Sequence, residues 1–367
     1  MTENATVHSS TPQTKRSSVP QLLRKAGGIY LLIAIVVLFG ILEPDTFLTA
    51  RAAKTILNQY SVGGLLALSL IVPLSAGVYD LSIGAQASLS SVVVAVLISK
   101  HGVPYPLAIA ITILIAVLVG LFNAFVVVAL RVDSFIGTLG TSAILGALAV
   151  GVTSNKTITS AAVSGSFQKN IALRNFGGVT MPVLYLLAAM AVIGYMMEQT
   201  KTGRQWYAIG FDADAALLAG VRTQKLRVGA LLVSAVIASI GGIALTARVA
   251  SGTPGAGDPY LLTAFAGAFL GATQFRSGRF NAWGTVFAVM LIATGGYGIS
   301  LTGAPQWAPK VFDGVVLISA VGIANIGGMR SSLPKWLRIR KNAGTGAQSS
   351  TVAVSADTTQ QTQMEKP

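Results

Sequence analysis

Apolar and polar positions do not alternate along this chain; they segregate into long blocks. Runs free of charged side chains cover 26–42, 55–79, 81–99, 102–130, 134–155, 175–197, 228–247, 259–275, 280–309 and 314–329. Each approaches or exceeds the roughly 17 to 25 apolar residues a helix needs to cross a bilayer. Continuous stretches such as Leu31-Leu-Ile-Ala-Ile-Val-Val-Leu38 indicate helices, because barrel strands would read alternately polar and apolar. The pattern predicts an all-α polytopic membrane protein with about ten transmembrane helices.

Composition agrees. Only 10% of the residues are charged and 53% are hydrophobic, whereas a soluble domain carries about 25% charged residues. Many of the 40 glycines fall inside the apolar runs, as at Gly241-Gly242 and Gly295-Gly296, where small residues permit close helix packing and helix breaks.

The net charge of +14 reads as a topology signal, with lipid and not nucleic acid as the surrounding partner. With a cytoplasmic N-terminus and ten crossings, 18 of the 26 basic residues fall on the inside and eight outside, which obeys the positive-inside rule and puts both termini in the cytoplasm. The first run is followed by Glu43-Pro-Asp-Thr-Phe without a small-residue cleavage pattern, so it reads as a retained helix and not a signal peptide. Residues 1–25 and 330–367 are expected to be disordered cytoplasmic tails, the second beginning with a basic stretch, flanking a permease domain at 26–329.

Two segments between runs stand out. The loop at 153–174 is polar, contains no acid and is expected outside. The loop at 198–227 is the most charged internal segment and is expected inside. Within it, Asp212 suits the start of a short helix, Asp214 suits the positive end of its dipole, and Ala215, Ala216, Ala219 and Gly220 are expected to share a face without bulk. Such a helix could simply pack on its own membrane domain, or receive another protein.

Asp80 is the sole acid in a long apolar region, in Ser75-Ala-Gly-Val-Tyr-Asp-Leu-Ser-Ile-Gly84. An ionisable group at membrane depth is a functional candidate, yet Asp80 or Ser82 is also a natural N-cap for the run that follows. Asn123, Thr138, Thr141, Gln274, Asn281 and Asn325 are polar positions inside runs; each can line a pathway for a hydroxyl-rich solute or tie one helix to another. Asp258, Gln306, Trp307 and Lys310 are expected in short outside loops, available for docking or membrane anchoring.

Several function classes are disfavoured. There is no cysteine, and the two histidines, His8 and His101, lie in a tail and a short loop, so no metal centre or cofactor is expected. No nucleophile–base pair assembles, so the chain is not expected to be an enzyme. No Gly-Lys dipeptide is present, hence no Walker A loop; ATP, if used, must be bound by a partner. An ion-coupled secondary transporter of a small polar solute remains an alternative, although acids within the runs are scarce.

Separated motifs carry a family resemblance. Gly203-Arg204 with Ala-Ile-Gly210 and then Asp214-Ala-Ala followed by Gly220 resembles the coupling loop of ATP-binding-cassette import permeases, ribose-type branch, with Asp214 where Glu is usual and Leu217 where the branch usually has Arg. Asp80-Leu-Ser-Ile-Gly84, Gly120-Leu-Phe-Asn-Ala124, Ser134-Phe-Ile-Gly-Thr-Leu-Gly-Thr141 and Ala266-Gly-Ala-Phe-Leu-Gly-Ala-Thr273 resemble further signatures of that branch, in order, over about residues 30–330.

The resemblance implies the permease subunit of a monosaccharide importer in the bacterial inner membrane, working by alternating access. It implies that 203–221, with Gly203, Arg204, Asp212, Asp214, Ala215, Ala216 and Gly220, engages a separate ATP-binding subunit. It also implies an extracytoplasmic sugar-binding protein and a second permease copy or paralogue as partners, with Asp80, Ser82, Asn123, Thr138, Gln274, Asn281 and Asn325 as candidates for the pathway.

Overall fold

A computed structural model of the chain describes residues 27–274 and 278–329. Two compact units divide at Ala324; the second, from Asn325 onward, is described only as the end of the last helix. The tails expected at 1–25 and 330–367 lie outside the described residues.

The described chain is mostly helical. In order come α1 (Gly27–Leu42), α2 (Pro44–Phe47), α3 (Ala50–Ser75), α4 (Ile83–Ser99), α5 (Tyr105–Ala124, prolonged by a π-helical turn at Phe125–Ala129), α6 (Ser134–Thr153) and α7 (Met181–Gln199). Then follow α8 (Lys201–Phe211), α9 (Ala213–Leu218), α10 (Thr223–Val249), α11 (Tyr260–Thr273), α12 (Ala282–Leu301) and α13 (Ala308–Met329). Every apolar run of the sequence carries a helix. Six are long and apolar enough to cross a membrane, namely α3, α5 with its π turn, α6, α7, α10 and α12, while α1, α4 and α11 are shorter apolar helices.

Local chemistry sets the helix ends. Thr49 caps α3 by accepting from Ala52 N, and Pro73 sits just before the helix stops. Asp133 caps α6 through Phe135 N and Ile136 N, and Ser154 in the left-handed region closes it. The segment at 153–174, expected as a polar loop, is more structured: Ile158–Thr159 pairs antiparallel with Ser251–Gly252, and two π-helical turns bury Val163, Phe167 and Ala172.

The centre of the molecule is an antiparallel pair, α3 and α10. Leu65 and Leu66 pack at Gly241, and farther along Arg248 donates to Gln59 O, so one helix ascends as the other descends. Around this pair the chain runs through the same sequence of elements twice. A long helix (α3 or α10) leads to a non-helical break (76–82 or 250–259), then a short helix (α4 or α11), then two longer ones (α5, α6 or α12, α13).

Each short helix packs parallel to the long helix of the other series. Thr246 of α10 donates to Ser91 of α4, and a Cβ on Gly242 would collide with Ala87 O. Likewise Gly63 of α3 faces Tyr260 of α11, and Ala67 faces Gly267. Because α3 and α10 are antiparallel, the two series run in opposite directions. Inverted halves of this kind are a common plan of membrane transporters.

A buried polar track and a projecting two-helix element

The two breaks share a local solution. Gly77-Val-Tyr-Asp80 and Gly255-Ala-Gly-Asp258 both place a left-handed glycine, φ +69° and +75°, three residues before an acid that precedes a helix start. A side chain at either glycine would be strained.

Four of the candidate pathway residues converge at the first break. Asp80 is 1% exposed; its Oδ1 accepts from Ser82 N at 3.0 Å and Ser82 Oγ at 2.6 Å, and its Oδ2 accepts from Ser234 Oγ at 2.7 Å. Asn123 Nδ2 donates to Ser82 Oγ at 2.8 Å, and Thr138 Oγ1 accepts from Leu81 N at 2.9 Å. Asp80 thus closes a turn on Ser82 just ahead of α4, and neither it nor Ser82 makes the expected side-chain cap to the first turn of that helix. This cluster stitches α4, α5, α6 and α10 together within one chain, and its carboxylate is enclosed by protein.

Gln274 and Asn281 belong elsewhere. Gln274 Oε1 accepts from Gly28 N at 3.1 Å, tying α1 to the α11–α12 connection, and Asn281 caps α12 by accepting from Gly284 N at 2.7 Å. Thr141 turns inward and bonds its own helix at Gly137 O. Asn325 lies outside the residues whose side chains are described.

The structure corrects two placements: Lys310, expected in a short outside loop, lies in the first turn of α13, and the second concerns the segment before α11. Asp258, expected in a short outside loop, sits at the foot of a segment that folds back along α4: Gly252 packs on Ala95 and Ser91, and Gly257 on Gly84, Ala87 and Ser88. Its Oδ1 accepts from Ser88 Oγ at 3.1 Å, while Gly257 N donates to the same hydroxyl at 2.9 Å. Gly252 and Gly257 permit this close approach, and Gly255 supplies the left-handed turn between them. Sequence reasoning also missed Ser88 and Ser234; the repeated Gly-x-x-Asp spacing was the available signal.

The charged segment 198–227 forms α8 and α9. Thr200 Oγ1 caps α8 by accepting from Gly203 N, and Gly203 fits because a Cβ there would collide with Met197 O. The inner face of α8 is locked down: Trp206 Nε1 donates to Leu226 O at 2.9 Å, Tyr207 Oη to Phe280 O at 2.6 Å, and Gly210 abuts Ser75 O. Asp212 ends α8 and caps α9 by accepting from Asp214 N at 3.1 Å and Ala215 N at 3.0 Å.

The bare face expected on α9 does not form as such. Ala216 is buried against its own domain, whereas Ala215 and Ala219 are exposed. Gly220 lies beyond the helix in the left-handed conformation that terminates it, with Val221 N donating to Ala216 O. What projects is apolar and bulky: Phe211 is 93% and Leu218 90% exposed, beside Leu217, Arg204 and Asp214. Sequence reasoning passes over these two large residues, since their types alone suggest a core. Among the described residues no His, Cys, Asp or Glu group could hold a metal ion.

Inverted helical halves, broken helices and a projecting surface element define a polytopic membrane permease. A family model described as the permease component of the branched-chain amino acid transport system matches residues 52–321, and the chain belongs to that family. It is similar to the ribose import permease protein of Bacillus subtilis (strain 168), 30% identical, with 84% of this chain and 95% of the relative covered. It is also similar to the fructose import permease protein of Rhizobium meliloti, at 28% over 80% of this chain and 83% of the relative. The D-allose transport system permease protein of Escherichia coli (strain K12) is 27% identical over 82% of this chain and 91% of its own. These relatives are transport permeases and not enzymes, the class the sequence motifs point to.

Proposed function

We propose that the chain is the membrane-spanning subunit of an ATP-driven importer that passes a monosaccharide, ribose-like or a related polyol, into the cytoplasm by alternating access. The match to sugar import permeases over most of both chains supports the class. The observation that carries the mechanism is the pair Phe211 and Leu218, almost wholly exposed on an element whose other face is fixed to the membrane helices. Apolar residues displayed this way mark a protein-binding surface.

On this reading the chain crosses the inner membrane ten times with both termini cytoplasmic. The short helix α11 completes its crossing through the folded-back segment 250–259. The element 201–221 docks on a separate ATP-binding subunit, which holds the nucleotide, so this subunit needs no cofactor of its own. Gly203 and Gly220 shape the element, Asp212 and Asp214 organise the start of α9, and Arg204 and Ala215 lie on the docking surface. Ala216 positions α9 against the membrane domain. A sugar-binding protein delivers solute on the opposite side, and a second permease copy or paralogue completes the passage.

Gentle detergent extraction of the tagged chain is expected to co-purify an ATP-binding subunit, and uptake assays with D-ribose, D-xylose, D-fructose and D-allose are expected to identify a transported sugar. The substitution Leu218→Asp should leave the membrane level unchanged and lower ATP-binding-subunit recovery at least about tenfold. Undiminished recovery and uptake in that variant would remove the docking assignment.

A further inference from the structure

The two acids that follow the breaks differ in surroundings, and the second has no structural use that accounts for its exposure. Segment 250–259 descends beside α4 until Gly257 rests on Gly84 and Ser88. Ser88 lies about three turns back from Ser99, roughly 16 Å along the helix at 1.5 Å per residue. That is about half the thickness of a hydrocarbon layer of about 30 Å. Asp258, held to Ser88, therefore sits deep in the membrane, and it is exposed on the surface of the chain. Among the described residues no Lys or Arg forms an ion pair with it.

An exposed carboxylate at this depth cannot face lipid tails, nor can the non-helical backbone that carries it, because neither finds hydrogen-bond partners there. The surface that presents them must face water or another protein. The Oδ2 atom looks across Gly255, where the missing side chain leaves space: a Cβ there would come within 3.3 Å of it. A bare carboxylate oxygen flanked by glycines accepts hydroxyl protons well and repels other anions.

We propose that Asp258 forms a hydroxyl-binding subsite on the wall of a water-filled translocation pathway, accepting hydrogen bonds from a neutral polyhydroxylated solute and disfavouring anionic ones. The subsite rests on the importer reading for its solute; its contact with water does not. Ser88 is the positioning residue, holding Oδ1 and Gly257 N together. Among the described residues Oδ2 accepts no hydrogen bond, which leaves it for the solute.

The chain contains no cysteine, so Asp258→Cys introduces a lone thiol into the full transporter. Its reaction with a membrane-impermeant methanethiosulfonate is expected to run at least about tenfold faster than that of Leu118→Cys, an exposed apolar position on α5. The sugar found to be transported should slow labelling at least about threefold when saturating. In uptake, Asp258→Ala should raise KM about tenfold with membrane level and ATP-binding-subunit recovery unchanged, and Asp258→Asn should fall between.

A thiol at position 258 as unreactive as that at position 118 would overturn the proposal. So would an unchanged KM in Asp258→Ala, or oxidative cross-linking of two copies of the Asp258→Cys variant, which would place the residue at an interface between copies. If no sugar is imported and no ATP-binding subunit is recovered, the importer reading fails and takes the solute assignment with it; a water-reactive thiol at position 258 would then still separate that failure from a misplaced Asp258.

Discussion

The break at 76–82 and the break at 250–259 start from the same device, a left-handed glycine three residues ahead of an acid, and finish in opposite states. Asp80 is closed in by Ser82, Ser234 and their neighbours, two of its hydrogen bonds holding the local turn at Ser82 and the third reaching Ser234 of α10. Asp258 has one modest tie to Ser88 and an open side. A duplicated backbone solution can therefore serve cohesion in one half of a molecule and contact with solute in the other. The deciding factor is the neighbouring helix: α10 offers Ser234 to Asp80, whereas among the described residues the side-chain partner of Asp258 is Ser88 alone.

The strongest way to break the comparison is at the interfaces that support each half. Gly242→Leu should abolish recovery of folded protein, measured by fluorescence-detected size exclusion, because the new side chain would drive into the backbone at Ala87. The counterpart Gly63→Ala meets only the edge of the Tyr260 ring at 3.5 Å and should be recovered at close to the native level. Equal tolerance at both positions would mean that the two short helices are held alike.

Next in size is Asp80→Ala. Removing it strands the Ser82 and Ser234 donors in a buried site, at about 1 to 3 kcal/mol, and should lower the melting midpoint in detergent by about 5 °C. Asp258→Ala should move that midpoint by less than about 1 °C, its effect appearing in uptake instead. Similar melting shifts for both would make Asp258 structural as well. Between these two in melting falls Ser234→Ala, which removes one hydrogen bond and should cost about 1 kcal/mol, whereas Ser88→Ala should weaken uptake more than stability.

Much of the helical plan was legible in the sequence because continuous apolar blocks leave few alternatives, and each block does carry a helix. The inverted halves were not legible: α4 and α11 have little in common beyond their length and setting, so the relation appears only when helix directions are compared. Asp80, Ser82, Asn123 and Thr138 stand out in the sequence as polar residues within apolar surroundings, but their mutual contacts come from tertiary folding that brings 80, 123 and 138 together. Counting crossings puts Asp258 in an outside loop, and counting fails where a chain turns back alongside a helix instead of ending at its rim. On α9 the helical start at Asp212 is readable from capping chemistry, but which face points outward depends on α8, whose docking on Leu226 and Phe280 lies beyond local pattern.

The three anchors of α8 have a mechanical consequence. Trp206 grips the root of α10, Tyr207 the approach to α12, and Gly210 the last residue of α3. Held at all three, the helix cannot slide on its own and behaves as a stiff lever. A force of a few ångströms' stroke applied at Phe211 would reach Ser75, and through it the break leading to Asp80, without needing a relay of side-chain rearrangements. A softer lever, made by loosening one pin with Trp206→Phe, would absorb part of the stroke before it reached the helices.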